Sequence, residues 1–384
     1  LSDHLYHTPT RFLLELIQNA DDNTFQAGVT PRFALNLYAN GGGSWYFRTD
    51  CNEVGFTFQQ IDALAGVGHS TKSSPIGGAR GYIGEKGIGF KSVFTVANVV
   101  QISSGYYEFM FDRTQVIGMI LPVPAPFPPE QRNFGHTQFL LQLRDRQCYQ
   151  YIQSDLENMQ PELLIFLRKL KKLDIAYDSV QRHHRIESNQ DDSVLGGETV
   201  EVITRQWLTE WRTKYVVVRY WAQNLPQEEQ RLGINTSEVV LAFPVLDNAN
   251  PEIRSQMAFA FLPIADFGFK ASVKSFLIQA DFLLTANRES VESSSPWNDA
   301  LHAGLQNAFV AAIQRFALMP TLQGQGLCYT WPKYLPRERR NFPFWDTLHN
   351  NMVHNLRLLP LLKCRGPDID LKVPSSLCYV PQQF

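Results

Sequence analysis

Phe12-Leu13-Leu14-Glu15-Leu16-Ile17-Gln18-Asn19-Ala20-Asp21-Asp22 repeats its apolar side chains at helical spacing, with Thr8 placed to cap and Pro9 suited to the first turn. At about 100° per residue, Glu15, Asn19 and Asp22 share one narrow face, and Leu13, Leu16, Ile17 and Ala20 lie opposite. Two carboxylates and an amide on one face suit the orientation of water and the binding of a hard cation such as Mg2+. An ordinary amphipathic helix with a solvated polar face fits the same pattern.

The 384 residues are enough for two or three domains with sizeable cores. With 44% hydrophobic and 19% charged residues, the composition is that of a soluble globular protein. A net charge of −2 supplies no global field for nucleic acid or acidic lipid. The five cysteines include no CxxC pair, which points to free thiols in a reducing, intracellular compartment, cytoplasmic or nuclear. No HExxH or comparable zinc spacing occurs among the histidines, and the adjacent His183 and His184 read as solvated. No apolar run approaches the ~18 residues of a membrane span. The chain begins at Leu1, as an excerpt of a longer protein would.

Outward from the first helix, Phe33–Tyr38 alternates as a strand, Gly41-Gly42-Gly43 turns, and Trp45-Tyr46-Phe47 returns as its hairpin partner. Asp50-Cys51-Asn52-Glu53-Val54-Gly55-Phe56 follows, and Thr57 with Gln60 forms a capping box that opens a second helix, ending at Gly66. The run Gly68-His69-Ser70-Thr71-Lys72 leads into residues 73–83, rich in Ser, Gly and Pro, which read either as a passive loop or as a mobile lid. Next stands Gly84-Glu85-Lys86-Gly87-Ile88-Gly89-Phe90-Lys91-Ser92, with glycines spaced to present bare amides before an apolar helical run. A Walker loop needs Lys directly after the last Gly, and a dinucleotide fingerprint needs GxGxxG after a strand; neither fits. Strands are expected at Val99–Ile102, Tyr106–Phe111 and Gln138–Leu143.

These signals, in this order, resemble the GHKL ATPases, the group of gyrase, histidine kinases, the ninety-kilodalton heat-shock chaperone and MutL. ELIQNADD (15–22) is similar to their asparagine-bearing motif, IGEKGIGFKSVFTVANVVQI (83–102) to their glycine motif, and GHT (135–137) to their last nucleotide-domain element. LYHTPTRFLLELIQNADDN, NEVGFTFQQIDALAGVGHSTK and FLIQADFLLTANRESV have the look of the sacsin-like and NO VEIN-like branch. The resemblance implies a Bergerat α/β sandwich binding ATP and Mg2+ beneath a lid. It implies Glu15 as general base and Asn19 as Mg2+ ligand, with Asp22 beside the nucleotide. Gly84, Gly87 and Gly89, with Lys86, Ile88 and Phe90, resemble the phosphate-binding segment, and Thr137 the hydroxyl near adenine. Asn52, Gly55 and Lys72 complete the cofactor-binding set. At the position of the adenine-reading Asp this chain has Cys51, which puts base recognition in doubt. Asp50 and Asn52 flank it, but a one-residue slip on a strand points to the other face.

Beyond residue 150, Tyr151–Lys172 reads as a helix whose basic RKLKK tail complements its dipole. Strand-like pieces follow at Leu173–Tyr177, Thr199–Ile203, Tyr215–Tyr220, Val239–Val245 and Ala258–Ile264, with His183–Glu198 an exposed hairpin tip. Lys274–Phe282 reads as a strand, and Asn287-Arg288-Glu289 resembles the catalytic-arginine segment of the chaperone's middle domain. An amphipathic helix is expected over Asp299–Phe316. The expectation is thus an α+β chain: a nucleotide-binding domain (1–150), a transducer-like α/β domain (151–318) and a Pro/aromatic-rich appendage (319–384). Its expected partners are ATP or ADP, other domains of a larger parent chain, and a second copy in a homodimer. A nucleotide-regulated scaffold with little turnover is the alternative. A DNA-remodelling ATPase would need a basic groove that the composition does not offer.

Overall fold

The computed structural model describes residues 12–65, 90–119, 121–254, 256–264, 275–285, 290–319, 326–335, 343–364 and 370–378. It is a mixed α/β structure that divides into two compact units, one within Leu1–Ile186 and Val202–Arg212, the other within Glu187–Glu201 and Thr213–Phe384. Residues 151–186 therefore group with the first unit and not with the second.

The first unit opens with helix α1 (Phe12–Asp22), hairpin strands β1 (Arg32–Ala39) and β2 (Trp45–Cys51), and helix α2 (Phe58–Ala65). A 3-10 turn (Phe90–Thr95) leads into β3 (Ala97–Ser104), β4 (Tyr107–Asp112), β5 (Val123–Pro124) and β6 (Thr137–Leu143). Helices α3 (Arg146–Glu157) and α4 (Leu163–Phe166) then precede β7 (Lys172–Tyr177) and the long strand β8 (Val180–Asp192). The strands lie in the order β8-β7-β1-β2-β6-β3-β4-β5, antiparallel except that β1 and β7 run parallel. Helix α1 lays Phe12 edge-on against Phe47 of β2, with ring centroids 5.8 Å apart, and packs beside the 3-10 turn. The capping box is formed: Thr57 N–H donates to Gln60 Oε1 at 2.8 Å and Gln60 N–H to Thr57 Oγ1 at 3.3 Å.

Two expectations are corrected here. The helix read over 151–172 is broken. Arg146–Glu157 is capped by Asp145, Pro161 interrupts, and residues 168–170 turn their amides to a buried carboxylate instead of continuing the helix. His183–Asp192 is strand, not hairpin tip. His183 pairs with Asp174, but His184 is buried against Thr204, and burial lowers its pKa to about 4, so it is neutral.

The chain passes between the units within β8, β9 (Gly197–Gln206) and β10 (Thr209–Ala222). The second unit continues through β11 (Ser237–Val245), β12 (Ala258–Ala260), β13 (Leu262–Pro263) and β14 (Leu277–Gln279) to the 23-residue helix α5 (Pro296–Leu318). Ser295 caps α5 by accepting from Asn298 N–H, and Pro296 takes the first turn. Helices α6 (Leu327–Thr330) and α7 (Pro343–Arg357) follow, then the short pair β15 (Leu362–Lys363) and β16 (Leu371–Lys372). The aromatic C-terminal stretch enters the core: Trp331, Tyr334, Leu348 and Met352 share a cluster with Phe243, Phe276 and Phe309, and Tyr334 OH donates to Pro244 O at 2.6 Å. The motif FLIQADFLL is buried here. Arg231 pairs with Asp281 through two bonds of 2.8 and 2.9 Å, Trp297 Nε1 donates to Asp281 O, and Asn298 bonds Leu283 N and O.

Candidate functional site

The polar face of α1 is not solvated. Glu15, Asp21 and Asp22 are 4%, 1% and 7% exposed, so three carboxylates of one helix are removed from water. Asp21 is fully employed: it accepts from the backbone N–H groups of Arg168, Lys169 and Leu170 at 2.8–2.9 Å. Lys169 donates its ammonium to Asp22 O and Asn23 O, placing a cation on the C-terminal carbonyls of α1. The basic stretch does complement a helix dipole, but that of another helix. Glu15 and Asp22 are buried on α1, and Asn19 is half-buried beside them.

Just beyond the helix, Asn23 and Thr24 meet the segment that leaves β2: Val54 N–H donates to Thr24 O at 2.9 Å, and the Asn23 side chain donates to Glu53. Cys51 is paired in register with Phe33 on one side and Thr137 on the other. A chain of donors runs through this corner. Phe56 N–H donates to Ser104 Oγ at 2.8 Å, Ser104 and Thr137 hydroxyls lie 2.6 Å apart, and Thr137 donates to Glu53. Thr137 is itself 2% exposed. Gly55, at φ +94°, sits so close to the β3–β4 turn that a Cβ would come within 3.0 Å of Gly105 N, so this turn admits no side chain.

Glu53 is the residue the sequence reading passed over. It is 3% exposed, and burial raises its carboxyl to about 7 against the pull of Thr137, Asn23 and the Lys169 charge. Its Oε1 has no hydrogen-bond partner among the described residues, nor has the buried Thr49 Oγ1, two residues before Cys51. Burial, with the Glu53 carboxylate beside it, pushes the Cys51 thiol well up, so Cys51 stays a neutral thiol. The sequence signal for Glu53 was weak, because it stands two residues beyond the end of β2, where strand alternation no longer applies.

The flanking residues are committed elsewhere. Asp50 accepts from Asn133, His136 and Gln138, while Asn52 accepts from Arg32 N–H at 2.8 Å and donates to Thr30 O at 3.0 Å. Phe90 is buried among Phe94, Phe111 and Phe139. Lys91, next to it, lies over the Phe111 ring, and burial lowers its pKa to about 8. Lys72, Gly84, Lys86, Gly87, Ile88, Gly89 and Arg288 lie outside the described residues. Glu15, Asn19, Asp22, Cys51, Asn52, Gly55, Phe90 and Thr137 all fall in the first unit, together with Glu53, with the Asn52 side chain bonded to Arg32 and Thr30.

Among the described residues no group of three or more His, Cys, Asp or Glu could hold a metal by itself. No helix there is long and apolar enough to cross a membrane. The five cysteines are free thiols, as their spacing led us to expect.

No protein-family model matches the chain. It is 31% identical to the Protein NO VEIN of Arabidopsis thaliana over 392 aligned residues, which take in 95% of this chain and 13% of that protein. Among solved structures it is similar to the B-subunit of the DNA gyrase from Myxococcus xanthus, with a TM-score of 0.42 and 11% identity over 80% of this chain and 89% of that one. The chain thus spans about an eighth of the length of the plant protein to which it is similar in sequence.

Proposed function

We propose that the first unit binds ATP with Mg2+ on the face formed by α1 and the Glu53 corner, and hydrolyses it slowly. One observation carries this reading: carboxylates on and beside α1, at Glu15, Asp22 and Glu53, are buried, and one oxygen of Glu53 has no hydrogen-bond partner among the described residues. Burying such groups opposes folding, and they concentrate where a ligand or a reaction uses them.

Asn19 offers an amide oxygen, a hard donor of the kind Mg2+ takes. When bound, Mg2+ would neutralise phosphate charge. Glu15 orients the attacking water and takes its proton. Thr137 and Glu53 face the base, and the amides of Gly84, Gly87 and Gly89 hold the phosphates.

Calorimetry with ATP, ADP and a non-hydrolysable analogue, with and without Mg2+, tests the binding. Asn19→Ala should lose the Mg2+-dependent part of the affinity, and Glu15→Ala should bind normally while turning over about 10²–10⁴-fold more slowly. Equal turnover in wild type and Glu15→Ala removes Glu15 from the chemistry. Tight ATP binding without turnover in either protein establishes the second reading, a nucleotide-regulated scaffold. The neutral Cys51 thiol, where the resemblance expects a carboxylate, favours that second reading.

A further inference from the structure

We infer that Glu53 is the base-reading residue of this site: its unpartnered carboxylate oxygen, set beside Thr137 and Cys51, accepts a hydrogen bond from the exocyclic amine of the nucleobase. This rests on the nucleotide reading above and specifies its ligand as a base with an amine at position 6, as adenine has. The geometry has three parts. Thr137 and Asn23 hold the carboxylate from two directions and leave Oε1 open, so the group is fixed in place but not satisfied. Cys51 is too weak a partner to fill the deficit, since a thiol is a poor donor and acceptor. Asp50 is turned to the other face of β2 and already takes three donors there.

The chemistry of the group sets its preference. An ionised carboxylate only accepts, so it matches the amine at position 6 of adenine and opposes the carbonyl at the same position of guanine. A protonated carboxyl can donate, and a carbonyl then becomes an acceptable partner. Glu53 changes between these forms near neutral pH. The charged and titratable groups bearing on it are Lys169 from the turn after α4 and Cys51 from β2, with Asp21 of α1 acting on Cys51; the Asp50–His136 pair lies on the opposite face of the strand. The Cys51 thiol stays neutral across this range, so Glu53 supplies the change.

The test is competition binding of ATP against GTP to the intact chain at pH 6 and at pH 8.5, on wild type and Glu53→Gln. Ionisation of the triphosphate is common to both ligands and cancels in their ratio. The expected preference for ATP is about 10–100-fold at pH 8.5, the worth of one buried acceptor matched or opposed, and it narrows toward pH 6. In Glu53→Gln, whose amide can both donate and accept, the preference falls to a few-fold and no longer depends on pH. If both nucleotides bind with a ratio independent of pH and unchanged by Glu53→Gln, Glu53 does not read the base, while the nucleotide reading stands. If wild type binds neither nucleotide, both readings fall together. The wild-type pH series decides the matter even if the variant does not fold.

Discussion

In the second unit, Asp281 is met by both prongs of Arg231, with Trp297 over the guanidinium at 5.8 Å and its indole N–H on the Asp281 carbonyl. In the first unit, Glu53 is as deeply buried, yet one of its oxygens meets nothing. Both are charges taken out of water, which is costly unless each lone pair is answered. Where the answer is complete, the group is architecture: it ties the loop before β11 to the end of β14. Where it is incomplete, the missing partner is a ligand. Asp21 extends the lesson within the first unit, since its three backbone donors leave it little to offer a nucleotide. Neighbouring carboxylates on and beside one helix thus divide into a structural clamp and a binding group.

The largest effect should come from the satisfied pair. Arg231→Ala leaves Asp281 buried without its cation and should cost about 3–5 kcal/mol by denaturant unfolding. The double variant with Asp281→Ala should cost less than the sum of the two single changes. A loss below about 1 kcal/mol for Arg231→Ala would erase the contrast between the units.

Asp21→Ala orphans three backbone N–H groups and should cost roughly 3 kcal/mol. It should do so without altering ATP-over-GTP preference in whatever fraction remains folded. A changed preference at full stability would make Asp21 part of the binding group instead.

Glu53 should show its deficit as a pH slope. Its carboxyl titrates at about 7 in the fold against an ordinary 4.5, so the folded chain binds more protons between those values. Stability from this group is therefore fully present below pH 4.5 and is lost as pH rises through about 7, by an amount on the order of 3 kcal/mol. Glu53→Gln should flatten that slope, so that the variant gains on wild type from pH 5 to pH 8. Parallel wild-type and variant curves would mean that Glu53 is satisfied in the fold. Saturating ATP should flatten the wild-type slope too, because the base supplies the missing donor.

The smallest effect belongs to the exposed, local device. Thr57→Ala removes one cap from α2 and should cost about 0.5–1 kcal/mol, visible as fraying of that helix and nothing more. A global loss of several kcal/mol would show that α2 bears on the buried cluster.

What was legible in the sequence was local and periodic. The helical spacing of Phe12–Asp22, the alternation of β1 and β2 about the Gly41–Gly43 turn, the Thr57/Gln60 box and the helix expected over Asp299–Phe316 each depend on residues a few positions apart. Backbone geometry and short-range hydrogen bonds decide such features, so their patterns are written in order along the chain. The Glu15/Asn19/Asp22 face was legible for the same reason. Its burial was not, because what covers a face comes from distant residues. The break after Glu157 illustrates the difference: the helix expected over 151–172 ran straight through Pro161, and the turn at 168–170 exists because Asp21, some 147 positions earlier, claims its amides. His184 reads as polar and solvated until a neighbouring strand places Thr204 against it. Glu53 lay in plain view, two residues beyond the end of β2. Only the tertiary structure could leave one of its oxygens unanswered, since satisfaction of a buried polar group depends on every element that closes around it.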